Sequence, residues 1–230
     1  MNNIISAGII AAGEGSRFIQ AGILTPKPLI SVAGYPLIGR TLKYYQSLGI
    51  QRVVIIFNEQ ESDCVDWVRQ HFPSFSTEII VKSTASSFES FWRVGQKLGA
   101  GRHLISTVDS FCSPAQLKKM MHFSEDQAIY LGVTDFVDDE KPLWVTLNDQ
   151  THRISHLGFQ TGTHATAGFY QVPGFLFEKA PPVQFSSLRY YLKWLQEQGH
   201  MIYGVPLKDV IDIDSPKDIQ VAESKLMEYL

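Results

Sequence analysis

The chain reads as one α/β domain, a mixed and mainly parallel sheet of Rossmann-like type with helices on both faces. Three observations point to it. Apolar β-branched runs alternate with segments of helical periodicity through the first half of the sequence, the pattern of buried parallel strands covered on two sides. A loop containing Gly13 and Gly15 leaves the end of the first run, where open α/β sheets bind their ligands. The 230 residues, 44% of them apolar, are enough for a single large core.

The elements follow in order. Residues 4–10, Ile-Ile-Ser-Ala-Gly-Ile-Ile, form a first buried strand. Over residues 36–48, Leu37, Ile38, Leu42, Tyr45 and Leu48 recur at helical spacing and Gly49 closes the helix. Residues 52–57 are the second strand, 64–72 an amphipathic helix, 77–81 the third strand, 86–98 a helix, and 103–108 a fourth strand ending on Asp109. The pattern then changes. Residues 128–136, 143–147, 153–157 and 166–172 are short strands separated by polar turns such as Asn148-Asp149. The segment from Val210 runs from a strand into the last helix, with Ser215 as N-cap, Pro216 at the first helical position and Asp218 near the amide ends. There is no repeat or low-complexity segment.

Composition narrows the function classes. Cys64 and Cys112 are too few for a disulfide framework, and no basic region followed by an apolar core opens the chain, so a reduced, cytoplasmic setting without membrane insertion is expected. A net charge of −3 without a basic run argues against nucleic acid as partner. The charged ligand is expected to be small.

The stretch Ala11-Ala12-Gly13-Glu14-Gly15-Ser16-Arg17-Phe18 carries the chemistry of polyphosphate binding. Glycines at 13 and 15 permit φ > 0 and bring backbone N–H groups close to an anion. Arg17 adds a permanently charged fork of donors. Lys27, beyond the Thr25-Pro26 turn, is placed to fold a flexible ammonium over the same phosphates. The G-x-G spacing by itself is equally that of a turn, having neither the third glycine of the dinucleotide fingerprint nor the G-K-[ST] of a P-loop.

Asp109 emerges at a strand end beside this loop, where a carboxylate can hold magnesium or merely open a turn. Asp212 and Asp214 alternate in an extended segment and therefore point the same way. Two such carboxylates repel unless a cation or a solvated face relieves them. Other groups read as structural. His152 and His156 lie in a strand-like segment rather than on one zinc-binding helix face, Asp138-Asp139-Glu140 reads as a solvated loop, and Tyr190, Tyr191 and Trp194 read as helix packing.

The whole string A-A-G-x-G-x-R-F, followed by Pro26-Lys27-Pro28-Leu29-Ile30 and Ala33-Gly34-Tyr35-Pro36-Leu37-Ile38, resembles the signature of the sugar-phosphate nucleotidyltransferases, the nucleoside-diphosphate-sugar pyrophosphorylases. The resemblance implies the nucleotide-diphospho-sugar transferase fold over residues 1–230, with a nucleotide-binding half at 1–125 and an acceptor-binding half with the C-terminal helix at 126–230. It implies a Mg2+-dependent transfer of NMP from a nucleoside triphosphate to a sugar 1-phosphate, with pyrophosphate as the other product. Ala11, Ala12, Gly13, Gly15 and Ser16 then bind the nucleotide, Arg17 and Lys27 are the catalytic cations, and Asp109 and Asp212 hold the metal, with Asp214 a secondary candidate. Thr166-Ala167-Gly168-Phe169-Tyr170 is similar to the family's sugar-pocket segment, so Gly168 and Tyr170 are expected at the acceptor, Gly168 leaving room for it; a glycine bulge accounts equally well for Gly168.

Departures from the family pattern leave the substrates open. Thr107-Val108-Asp109 lacks the usual glycine before the aspartate. The sole Glu-Lys-Pro triplet, Glu140-Lys141-Pro142, precedes its expected place, and Leu157-Gly158-Phe159-Gln160 offers no cation, which turns attention to Arg189 for the acceptor phosphate. No glutamine marks the base pocket in residues 81–87; Thr84 and Ser86 sit where base or ribose contacts are expected, or cap the next helix. The alternatives are a cytidylyltransferase for phosphocholine or another small phosphate, a metal-dependent glycosyltransferase, and a non-catalytic nucleotide-sugar-binding protein.

Overall fold

The computed structural model describes residues 6–123, 125, 127–135 and 142–228. The acidic run Asp138-Asp139-Glu140 and all of the Glu140-Lys141-Pro142 triplet except Pro142 lie outside the described residues, as do the first two residues of the expected first strand.

In chain order the elements are β1 (Ser6–Ala11), α1 (Ser16–Gln20), the hairpin β2 (Ser31–Val32) and β3 (Tyr35–Pro36), α2 (Leu37–Ser47), β4 (Arg52–Phe57), α3 (Ser62–His71), β5 (Ser76–Val81) and α4 (Ser87–Leu98). There follow β6 (Arg102–Thr107), β7 (Ser110–Phe111), α5 (Pro114–Lys119), β8 (Ile129–Thr134), β9 (Trp144–Leu147), β10 (Ile154–Gly158), β11 (His164–Pro173), α6 (Leu188–Glu197), β12 (Ile202–Pro206), β13 (Ile211–Asp212) and α7 (Pro216–Glu228). Short 3-10 turns occupy Lys27–Leu29 and Gly174–Phe177.

The main sheet runs β10-β9-β11-β6-β1-β4-β5, with β8 pairing β11 and β12. β5, β4, β1 and β6 are mutually parallel, and β11 closes against β6 antiparallel. The expected mixed, mainly parallel sheet is therefore present. Its parallel half explains the continuous apolar runs, because both faces of the central strands are covered. Ala7, Ile9, Val53, Ile55 and Phe57 enter one core with α2 and α3, while Ile10, Val54, Ile56 and Ile105 enter the other with α4 and α6. Cys64 and Cys112 are buried free thiols, and among the described residues no helix is long and apolar enough to cross a membrane.

Two helix boundaries show what local chemistry decides. α4 starts at Ser87 because Ser86 is its cap: the Ser86 hydroxyl accepts from Glu89 N at 3.2 Å, while Glu89 Oε2 reaches one residue past the cap and accepts from Ala85 N at 2.8 Å, a variant of the capping box. At α7, Ser215 precedes Pro216 as expected, but Asp218 is the acceptor. Its Oδ2 takes the backbone N–H groups of Asp214 and Ser215 at 3.0 and 2.7 Å and the Ser215 hydroxyl at 2.8 Å. In α6, Tyr191 is buried against Phe88, Phe185 and Trp194, the packing role expected of it, whereas Tyr190 lies exposed beside Phe159.

Close approach of α4 to its surroundings depends on glycine. A Cβ on Gly95 would fall 2.1 Å from the ring of Phe177, itself 5% exposed, and one on Gly8 would fall 2.4 Å from Val94. Gly95→Ala thus sets a helix-propensity gain of about 1 kcal/mol against an overpacking cost of about 1–3 kcal/mol. The expected outcome is a melting temperature lowered by a few degrees in thermal unfolding. A rise would show that Phe177 yields without cost.

Candidate active site

The site is assembled at the carboxyl ends of β1 and β6. β1 is buried along its whole length, and the chain turns out of it through Ala12-Gly13-Glu14-Gly15. Gly15 adopts φ 63°, and its carbonyl accepts from Phe18 N at 2.9 Å and Ile19 N at 3.2 Å to start α1. Gly13 does not share that conformation: its φ is not positive, and a Cβ there would meet nothing within 4 Å. The expectation that both glycines serve a left-handed backbone is corrected to Gly15 alone. Gly15 also has a packing reason to lack a side chain, since its Cβ would lie 3.1 Å from Cβ of Lys27.

Lys27 opens the 3-10 turn Lys27–Leu29 between two prolines and is buried, with 9% of its side chain exposed. It is a held cation rather than the flexible arm expected. Its Nζ donates to Asp109 Oδ2 at 2.6 Å and to Asp214 Oδ1. Burial lowers the pKa of this ammonium, and the two carboxylates more than compensate, leaving it above its ordinary value. Asp109 mirrors this. Burial raises its carboxyl, and the Lys27 charge and hydrogen bond outweigh that effect, so it ionises below the usual carboxylate range. Arg17, more exposed, donates from Nη1 to Asp214 Oδ2 at 2.8 Å.

Asp109 stands two residues beyond β6 rather than at its last position. Val108 N donates to Ile10 O at 3.0 Å and Ile213 N to Asp109 O at 3.1 Å, so the turn is tied to β1 on one side and to the C-terminal segment on the other. β7 and β13 complete the joint, with Ser110 opposite Asp212 and Phe111 opposite Ile211 in an antiparallel pair. That joint brings one oxygen each of Asp109, Asp212 and Asp214 within 4.8 Å of one another. In addition, Asp109 Oδ1 is buried and meets no hydrogen-bond partner within bonding distance among the described residues.

Two depressions meet at this cluster and share Arg17, Ser87, Thr107, Asp109 and Asp214. The first is bounded by the loop from Ala11 to Ser16, by Lys27 and by Thr84. Thr84 Oγ1 sits 2.7 Å from Ser90 Oγ at its floor, while Ser86 is accounted for as the α4 cap. The second is bounded by Thr134, Thr166, Tyr170, Arg189 and Asp212. Gly168 lies there as well, and its lack of a side chain has a packing reason. At φ 73° its Cβ would be 1.7 Å from Ser110 Oγ and 2.7 Å from Thr107 Oγ1, so the glycine lets β11 close on the Asp109 turn. The register shift between Thr166 and Tyr170 makes it a bulge.

A model of the MobA-like NTP transferase domain matches residues 7–156, from β1 through the cluster turn and into β10. The chain belongs to the MobA-like NTP transferase family. Among curated proteins it is 23% identical over 239 aligned residues to a bifunctional IPC transferase and DIPP synthase of Aquifex aeolicus, covering 96% of this chain and 52% of that one. It is also 33% identical over 87 residues, 36% of this chain and 35% of the other, to a 2-aminoethylphosphonate cytidylyltransferase of Lancefieldella rimae. The chain thus spans about half the length of the first of these relatives and about a third of the second. Among solved structures, an inositol-1-phosphate CTP transferase from T. maritima superposes with a TM-score of 0.82 at 21% identity, covering 98% and 97% of the two chains. An apo UDP-glucose pyrophosphorylase gives 0.82 at 15% identity, covering 98% and 99%. Both share the fold.

The structure brings together the residues singled out from sequence at both ends of the chain. Sequence reasoning ranked Asp214 second to Asp212, and it did not find Asp218 as the group organising that turn. Thr134 and Ser110 were also missed. The one available signal, a hydroxyl at or just past a strand end, is too common to select them.

The sign of the Lys27–Asp109 linkage sets a pH test. A carboxylate whose folded pKa is depressed stabilises the fold above its unfolded pKa of about 3.9, and the contribution is lost as pH falls through the folded value. Lys27→Met is expected to lower stability by about 3–5 kcal/mol near pH 7, with the gap to wild type narrowing below about pH 4. Denaturant titrations at pH 7 and pH 3.5 measure both. A gap that does not change with pH would rule the linkage out.

Proposed function

We propose that the chain is a magnesium-dependent nucleotidyltransferase that moves an NMP group from a nucleoside triphosphate to a sugar 1-phosphate and releases pyrophosphate. The observation that carries this reading is the meeting of two depressions at one charge cluster, a glycine loop with two cations on one side and a hydroxyl-lined wall with Arg189 on the other. Two polyanions have to be brought in line there, which is a task of positioning and charge neutralisation.

In this reading Gly13, Gly15 and Ser16 present backbone and hydroxyl donors to the triphosphate, with Ala11 and Ala12 forming the wall beneath it. Arg17 neutralises the β and γ phosphates and Lys27 the α-phosphate. An oxygen of the acceptor phosphate attacks the α-phosphorus, the bond from that phosphorus to the β-bridging oxygen breaks, and pyrophosphate departs with the electron pair. The acceptor oxygen is already anionic near neutral pH, so no strong base is required. Thr84 serves the nucleoside side; Tyr170 and Arg189 serve the acceptor.

The donor set suits magnesium, which prefers carboxylate oxygen: Asp109 and Asp212 would hold it, and Asp109 Oδ1, buried and without a partner among the described residues, is the oxygen best placed to serve as a ligand. Magnesium bound there would offset charge on the triphosphate and polarise its α-phosphate.

A second reading shares the reaction and changes the substrates. Two of the similar proteins are described as acting with CTP or as a cytidylyltransferase, on inositol 1-phosphate and on 2-aminoethylphosphonate. They favour a cytidylyl donor with a small phosphate or phosphonate acceptor.

Pyrophosphate release measured with each common nucleoside triphosphate against sugar 1-phosphates, inositol 1-phosphate, phosphocholine and 2-aminoethylphosphonate tests both. One productive pair is expected. Triphosphate binding without release from any pair would favour a nucleotide-sugar-binding protein on the same fold. With the productive pair, Arg17→Ala and Asp109→Ala are each expected to lower kcat by about a hundredfold or more, the scale for one preorganised charge-stabilising group. Full activity of Asp109→Ala would remove the metal assignment.

A further inference from the structure

The two cations assigned to the triphosphate are not waiting for it: Asp214 holds both, Arg17 through Oδ2 and Lys27 through Oδ1. Counting formal charges, Arg17 and Lys27 stand against Asp109, Asp212 and Asp214, so the cluster carries a net −1. A triphosphate bears about four negative charges near neutral pH, and such a cluster repels it. Neutralising Asp214, as in Asp214→Asn, brings the count to zero, as neutralising either other carboxylate does.

The geometry points to Asp214 as an internal counter-ion that occupies Arg17 and Lys27 in the empty site and competes with the triphosphate for them. This inference rests on the reading of those two residues as phosphate-binding cations. The competition is asymmetric. Arg17 has 45% of its side chain exposed and can move without unpacking the core, whereas Lys27 has 9% exposed and can change partners more easily than position. Lys27 also holds Asp109 at 2.6 Å, so giving up Asp214 does not leave it a buried charge without a counter-ion. Asp214 in turn is anchored through its backbone: its N–H donates to Asp218 Oδ2 at 3.0 Å, which leaves the carboxylate as the part that moves. One of its oxygens already lies within 4.8 Å of oxygens from Asp109 and Asp212. When the metal-binding carboxylates are engaged, Asp214 has an alternative cation and releases Arg17 and Lys27. Triphosphate and magnesium then favour one another through a single residue, and by linkage the effect is reciprocal.

Calorimetric titration of inorganic tripolyphosphate, a probe independent of base and acceptor, tests this on the full chain. Wild type, Asp214→Asn, Asp214→Glu and Arg17→Ala are compared in EDTA and in magnesium, with thermal unfolding as the check on folding. In EDTA, Asp214→Asn is expected to bind tripolyphosphate about tenfold more tightly than wild type, Asp214→Glu to return to the wild-type value, and the Asn variant's advantage to shrink or reverse with magnesium. A purely structural role for Asp214 predicts weaker binding in both media. Equal or weaker binding by a folded Asp214→Asn in EDTA, or no binding by any variant, overturns the inference. If Arg17→Ala binds as wild type does, the underlying assignment of Arg17 to phosphate fails instead, and the inference falls with it.

Discussion

The ionic cluster of Lys27, Asp109, Asp214 and Arg17 is the constraint on which the rest of the site depends. An ammonium with little solvent access is tolerable only when carboxylates replace its lost hydration, and here they come from residues 82 and 187 positions away along the chain. The strand ends, the glycine loop and the C-terminal segment must therefore meet at one place. A cluster of this kind ties the polyphosphate loop, the candidate metal ligands and the start of the last helix into one unit.

The sheet makes that meeting possible. Parallel strands β1 and β6 end side by side, so a loop leaving one and a carboxylate leaving the other are neighbours by construction. The antiparallel β11 then brings the second half of the chain alongside β6, and Gly168 lets it come close enough for its bulge to touch Thr107 and Ser110. The β7–β13 pair finishes the work with two residues on each side. Small as it is, that pair sets Asp212 opposite Ser110, one residue from Asp109.

What was legible in the sequence follows from how local its causes are. The core strands could be read because both faces are buried, which leaves no polar alternation to blur them. Of the two hydroxyls left open before α4, Ser86 is the cap and Thr84 faces the first depression, a choice that the spacing to the helix alone did not make. Gly13 and Gly15 looked equivalent, yet their difference is tertiary: Lys27 stands over one of them and nothing stands over the other. The same holds for Gly168, whose neighbours Ser110 and Thr107 are about sixty residues distant in the chain.

The sequence by itself determined the alternation of elements, the apolar faces of the strands and the chemical identity of the site residues, because periodicity, capping and charge act over a few positions. Only the tertiary structure decided how those residues are paired. Whether Lys27 is a free arm or a buried cation, whether Gly168 opens a pocket or closes a seam, and whether Asp214 is a spare ligand or the partner of both cations all depend on contacts between segments far apart in the chain. Such contacts are selected by the packing of the whole sheet, and no local pattern records them.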